Sequence, residues 1–322
     1  MEQFGPYLLL RRLAQGGMSE VFVARRLDAP PQSTPVVLKR LLQELEARPD
    51  VVDMFLTEAD VTAMLRHPNI VQVFDSGEAD GRYYIAMEMI DGPDLAEIQR
   101  AAYEQGLGIS MGLAIYCCMQ ALQGLDYVHK AQSPSGRPLG IIHRDISPEN
   151  LFCTRAGVVK VADFGIAKLS GLEGFTSLSV GVKGKLSFMA PEQIRGDPLD
   201  GRTDMFAVAL ILYELCTSKR AYTLGAGESE VALMERVRDA EIVKPRKVEK
   251  EIPRRLQNAI LKALEMKPKN RFKTCGEFAA ELQVVARKEM LLAGPADLAS
   301  LVSQLFPPSE VVTPARPGPT GF

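Results

Sequence analysis

The chain has 322 residues, 46% of them hydrophobic and 24% charged, with a formal net charge of −2. That length allows one large or two moderate domains with a sizeable core. Near-neutral charge argues against bulk attraction to nucleic acid or to an anionic membrane. No apolar run approaches the ~20 residues that span a bilayer.

The first residues, Met1-Glu2-Gln3-Phe4-Gly5-Pro6, lack the basic and apolar regions of a signal peptide, so a cytoplasmic location is expected. The five cysteines (Cys117, Cys118, Cys153, Cys216, Cys275) form no C-x-x-C pair. They are expected to be reduced and mostly buried. Only three histidines accompany them, which argues against a cysteine-based metal site.

Residues 7–13 and 21–25 read as strands around a glycine turn, Leu13-Ala14-Gln15-Gly16-Gly17-Met18-Ser19-Glu20-Val21. Glycines let backbone N–H groups approach phosphate oxygens with no Cβ in the way. Residues 36–40 form a third apolar strand that carries Lys39. A lysine there needs a counter-charge if it is buried. Residues 50–66 have helical spacing, with Met54, Val61, Met64 and Leu65 as the apolar stripe and Glu58 among the acids. Residues 71–74 and 83–87 are strand-like, separated by a turn through Asp80-Gly81.

After Gly92 the pattern becomes helical, over 110–130, 203–217, 254–266 and 276–290. This divides the chain into a sheet part, 1–90, a helical part, 91–291, and a tail, 292–322, with a hinge at 88–92. In the tail Leu298, Leu301, Val302, Leu305 and Phe306 lie at helical spacing. That stripe either packs on its own domain or docks a regulatory partner. Beyond Pro307 the composition is rich in Pro and Gly, as in a flexible linker.

The chemistry concentrates between residues 143 and 165. His143-Arg144-Asp145 is followed by Asn150 and then by Asp163-Phe164-Gly165. Asp145 is a candidate base. Asn150 and Asp163 are hard oxygen donors suited to Mg²⁺. A β-hairpin could present all three to one triphosphate, and phosphoryl transfer needs mainly positioning, metal ions and a proton acceptor. Upstream stand Val36-Val37-Leu38-Lys39, Glu58 and His67-Pro68-Asn69-Ile70, and downstream Ala190-Pro191-Glu192. With these motifs in this order, the chain resembles the protein kinase family, and in style the bacterial serine/threonine kinases that look like eukaryotic ones. The resemblance runs from about Phe4 to about Ala286.

The resemblance implies an α+β, two-lobed fold: a small sheet lobe with one key helix that binds ATP, and a larger helical lobe that carries the catalytic loop. It implies transfer of the γ-phosphoryl of ATP to serine or threonine of protein substrates. Lys39 would neutralise the α- and β-phosphates, paired with Glu58, which lies nine residues before His67. Ala14, Gly16 and Gly17 would form the phosphate loop, although Ala14 stands where the family has its first glycine. Val21 would cover the adenine. Val37 stands where alanine is usual. Met87 would gate the back of the pocket, and the backbone from Glu88 to Ile90 would meet the adenine edge. Asp94 matches a ribose position and Phe152 the pocket floor. Asp145 would be the base, and Asn150 and Asp163 the Mg²⁺ ligands. Arg144, with Lys168, would pair with a phosphate on the segment after Gly165, where Thr176, Ser177 and Ser179 are candidates for autophosphorylation. Glu192 and Arg271 would form a buried ion pair, and Asp204 would begin a helix bracing the catalytic loop.

Two departures from the family stand out. Ser147 replaces the lysine that serine/threonine members carry two residues after the catalytic aspartate, and Lys185 occupies a threonine position before Ala190-Pro191-Glu192. Those positions are close in the family, so either Lys185 restores the missing charge or it is a solvated loop cation. The rivals are a pseudokinase that binds ATP as a scaffold, and a kinase for a small molecule. Tyrosine specificity is disfavoured, because the catalytic loop lacks the arginine of that branch.

Overall fold

The structure is a computed structural model that describes residues 2–30, 32–133, 135–164, 186–225 and 227–307. It has the two-lobed α+β fold. The first lobe is one antiparallel sheet of β1 (Glu2–Phe4), β2 (Tyr7–Gln15), β3 (Ser19–Arg26), β4 (Val36–Leu41), β5 (Val73–Ala79) and β6 (Arg82–Glu88), in the order β1-β2-β3-β4-β6-β5. Asp80 (φ 51°) and Gly81 (φ 72°) are both left-handed, which is the two-residue hairpin turn that Asp-Gly favours between β5 and β6. Side chains alternate between faces along each strand. Leu38, Tyr84 and Ala86 therefore join Phe4, Tyr7 and Leu9 in one small core. Leu41 and Ile85 turn the other way, onto helix α1 (Pro49–Ala63).

Three local expectations change. Strand β1 is additional, being too short to show a period. The strand expected at 71–74 runs over Val73–Ala79, because Ile70 bridges to Val161 and the Val71 N–H donates to Val161 O at 3.0 Å. The buried face of α1 is Val51, Val52, Phe55, Ala59 and Thr62, with Glu58 among them. Met64 is 46% exposed just past the helix end. A threonine and a glutamate on the inner face disguised the stripe.

The second lobe contains α2 (Leu95–Glu104), α3 (Met111–His129), the hairpin β7 (Leu151–Cys153) and β8 (Val159–Val161), α4 (Pro191–Arg195), α5 (Gly201–Thr217), α6 (Glu230–Arg238), α7 (Pro245–Val248), α8 (Arg254–Ala263), α9 (Cys275–Lys288) and α10 (Pro295–Leu305). Apolar on all sides, α5 runs through the centre, as such a helix must. Four of these helices, α2, α4, α6 and α7, are absent from the sequence reading. One of them was announced: Asp94 accepts from the Glu97 N–H at 2.7 Å and Glu97 accepts from the Asp94 N–H at 3.1 Å, a capping box that starts α2.

Leu298, Val302 and Leu305 of α10 are buried in the same core as α3 and α5. The apolar face of this helix is thus occupied by its own lobe, which is the first of the two expected roles. All five cysteines are buried and unpaired. Among the described residues no helix is long and apolar enough to cross a membrane.

Candidate active site

Sheet register gathers the first set of side chains. Ala14 lies opposite Val21, Val21 opposite Lys39, Lys39 opposite Ile85, and Val37 opposite Met87. Residues directly opposed on antiparallel strands share a face. Lys39 sits two positions from Leu41, so it faces α1. There its Nζ donates to Glu58 Oε1 at 3.1 Å and to Asp163 Oδ1 at 3.2 Å. Burial alone would lower the lysine pKa, but the charges of Asp163 and Glu58 outweigh it and raise it, so Lys39 stays an ammonium. The same ammonium holds the Asp163 carboxyl below its usual range. Burial raises Glu58, against the pull of Lys39.

The catalytic loop hangs from Asp204, near the start of α5. Its buried carboxylate accepts from the His143 N–H at 2.9 Å and the Arg144 N–H at 2.8 Å, and lies 2.7 Å from His129 Nε2. These bonds stabilise Arg144 at φ 66°, a left-handed conformation that costs a non-glycine residue about 1–3 kcal/mol. Asp163, at φ 52°, is the second such residue in the site. His143 Nε2 lies 2.9 Å from Ala162 O, and its Nδ1 accepts from the Asp145 N–H at 3.3 Å. Burial depresses the His143 pKa, so the ring is neutral with the proton on Nε2. It packs on Phe164 at 4.7 Å between centroids. Asn150 Nδ2 donates to Asp145 O at 2.7 Å, which turns its Oδ1 away from that carbonyl.

Asn150 and Asp163 fit a magnesium ion: both offer hard oxygens. Among the described residues no three His, Cys, Asp or Glu side chains form a metal cage. Mg²⁺ usually takes one or two carboxylates and fills its shell with water and phosphate.

On the nucleotide side, Met87 lines a small cavity with Glu58, Thr62, Val73, Asp163 and Phe164, at the back of the cleft. The Glu88 N–H donates to Gln72 O at 2.8 Å, and its carboxylate is taken by Lys160 Nζ at 2.9 Å. Its side chain and its N–H are thereby both committed. Ile90 follows, half-buried. Asp94 bridges to Phe152, bringing the expected ribose and floor residues side by side, with one Asp94 oxygen spent on the α2 cap. The Gly16 N–H closes its turn on Ser19 O at 2.8 Å. A Cβ on Gly17 would meet nothing within 4 Å, so packing does not demand glycine there.

Beneath the site, Arg271 clamps Glu192 with two bonds of 2.7 and 2.8 Å, and the Thr203 hydroxyl adds a third at 3.0 Å. Gln193 Nε2 donates to Arg144 O at 2.9 Å. Neither this bond nor the His129–Asp204 contact had any local signal in the sequence. Arg144 Nε is buried with no hydrogen-bond partner among the described residues. Ser147 is buried. Lys168, Thr176, Ser177, Ser179 and Lys185 lie outside the described residues.

Residues 7–282 match the family described as protein kinase domain. The chain is 38% identical over 306 residues to the tyrosine-protein kinase MasK of Myxococcus xanthus, covering 95% of this chain and 47% of that protein. It is 34% identical over 283 residues to the serine/threonine-protein kinase PknJ of Mycobacterium tuberculosis, covering 86% of this chain and 44% of PknJ. The chain thus spans about half the length of these relatives. Among solved structures, the PknI kinase domain of Mycobacterium tuberculosis is similar with a TM-score of 0.65 at 28% identity, covering 88% of this chain and 97% of that one.

Proposed function

This chain belongs to the protein kinase family, and from that membership we propose that it transfers the γ-phosphoryl group of ATP to serine or threonine hydroxyls of proteins. The observation that carries the reading is Lys39, bonded at once to Glu58 at 3.1 Å and Asp163 at 3.2 Å. That bridge joins the sheet, α1 and the end of the β7–β8 hairpin around one cation.

In this reading Lys39 holds the α- and β-phosphates, under a loop of Ala14, Gly16 and Gly17. Val21, Val37, Met87 and Phe152 enclose the adenine, whose edge meets the backbone of Glu88 and Ile90, and Asp94 takes the ribose. Asn150 and Asp163 would hold Mg²⁺, which supplies positive charge against the phosphate oxygens. Asp145 orients the acceptor hydroxyl and receives its proton as the new O–P bond forms. The bond from the γ-phosphorus to its bridging oxygen breaks, and ADP leaves with that electron pair. Lys185 replaces the cation that Ser147 lacks. Arg144, whose buried Nε has no partner among the described residues, supports autophosphorylation in the segment 165–185, where Thr176, Ser177 and Ser179 are the candidate acceptors.

Radiolabelled ATP and a generic protein acceptor test the reading. Transfer is expected from the parent chain, with a loss of about 10²-fold or more in Asp145→Asn and in Lys185→Met. Undiminished transfer in Asp145→Asn sinks the mechanism. ATP binding without any transfer supports a scaffold instead. The similarity to MasK, a protein named as a tyrosine kinase, favours a second reading, tyrosine as acceptor. Phosphoamino acid analysis of the labelled product separates the two.

A further inference from the structure

The segment Asp91–Asp94, by which the chain leaves the hinge, is tied along its length to the β7–β8 hairpin. The Arg155 N–H donates to Asp91 O at 2.9 Å, and the Cys153 N–H to Pro93 O at 2.8 Å. Gly92 approaches Cys153 O so closely that a Cβ would collide with it. Phe152 bridges to Asp94. The position of this segment is therefore the position of the hairpin.

The hairpin, in turn, is gripped by both ends of α10. At the first end Gly157 (φ 78°) lies against Pro295 O, where a Cβ would collide. The Tyr116 hydroxyl fixes the same glycine through its carbonyl at 2.8 Å. At the other end Arg155 spans the gap: its Nε donates to Asp91 Oδ1 at 3.2 Å and its Nη1 to Phe306 O at 2.8 Å. One guanidinium thus joins the hinge exit to the last turn of α10. This helix lies wholly beyond residue 282, where the match to the family domain ends.

We propose that α10 is a strut that sets nucleotide affinity, with Arg155 as the positioning residue that transmits its docking to the hinge. The proposal rests on the reading of the cleft as a nucleotide site. Docked α10 holds the hairpin, and with it Asp94 and Phe152, where a nucleotide would meet them. Undocking loosens that wall, while Lys39 stays bonded to Glu58 of α1 and the catalytic loop to Asp204. Coupling of this kind is reciprocal, so a bound nucleotide must also tighten α10.

The test uses the full chain and MgADP as the probe. Calorimetry should give a dissociation constant about 3–10-fold weaker for Arg155→Ala and for Asp91→Ala, as loss of one or two hydrogen bonds implies. Arg155→Lys, which keeps one donor, should fall between. The double variant should be no weaker than the weaker single, since both changes cut one link. In transfer assays the KM for ATP should rise while kcat stays within about twofold, because no transition-state contact is removed. Hydrogen exchange in residues 295–306 should slow on adding MgADP in the parent and not in Arg155→Ala. Unchanged MgADP affinity in both single variants, or exchange in α10 that ignores MgADP, overturns the proposal. If Arg155→Ala fails to fold, Asp91→Ala carries the same affinity test. A parent chain that does not bind MgADP overturns the nucleotide reading itself, an outcome distinct from a parent that binds and variants that bind equally.

Discussion

Lys39 separates two carboxylates that would otherwise face each other, Glu58 and Asp163. Lys39→Met should lower transfer about 10²-fold or more, as loss of a preorganised charge does. Glu58, already raised by burial, should then rise further without Lys39 to lower it, which infrared spectroscopy of the carboxyl band reads directly. A second prediction concerns His143. Its folded pKa is depressed below the ordinary 6.5 by burial, so the unfolded chain takes up a proton first as pH falls. Stability is therefore fully present above pH 6.5 and declines below it, by at most ~1.4 kcal/mol per pH unit for one proton. Urea midpoints should drop between pH 7.5 and 5.5, while NMR should show the ring titrating below the ordinary histidine range. At this scale the motifs had named Lys39, Glu58 and Asp163, and the structure brings these three together. The sequence was silent on His129 and Gln193, because their partners Asp204 and Arg144 are distant in the chain.

Among elements, the Glu192–Arg271 pair ties α4 to the turn ahead of α9, and both side chains are almost fully enclosed. Glu192→Ala should cost about 3–5 kcal/mol, because it leaves a buried guanidinium without its counter-charge. Chemical denaturation measures that loss, and the double variant with Arg271→Met should recover part of it. Element boundaries were less legible than residue roles. The helix at α1 was recognised, but its inner face was misread because Glu58 and Thr62 lie on it for reasons of chemistry and capping. Thr62 returns its hydroxyl to Glu58 O at 2.6 Å, a bond no periodicity reveals. The short helices α4 and α7 carry too few turns to show a period.

For the whole molecule, the division into a sheet part and a helical part was legible, since the strand-like runs cluster before Gly92 and the long helical runs follow it. What joins the two parts was not. Asn69 does so: its Nδ2 donates to Gln120 Oε1 at 2.7 Å and Val159 O at 2.8 Å, and its carbonyl accepts from the Val161 N–H at 2.8 Å. Helix α3 comes so near that a Cβ on Gly124 would lie 2.9 Å from Asn69 O and 3.1 Å from Ile70 Cδ1. Alanine in mid-helix is ordinarily favoured over glycine by ~1 kcal/mol. Here crowding against a backbone carbonyl, typically about 1–3 kcal/mol, should prevail. Gly124→Ala should therefore lower the thermal midpoint, and a raised midpoint would show that the lobes separate more easily than the contacts imply.

The five buried thiols have a bearing on how this protein can be observed. Cys117 and Cys118 belong to α3, Cys153 to β7, Cys216 to α5 and Cys275 to α9, and the sheet has none. A thiol-alkylating reagent meets no accessible cysteine while the helical lobe is closed. Its rate of incorporation thus clocks the breathing of that lobe alone, with no engineered label.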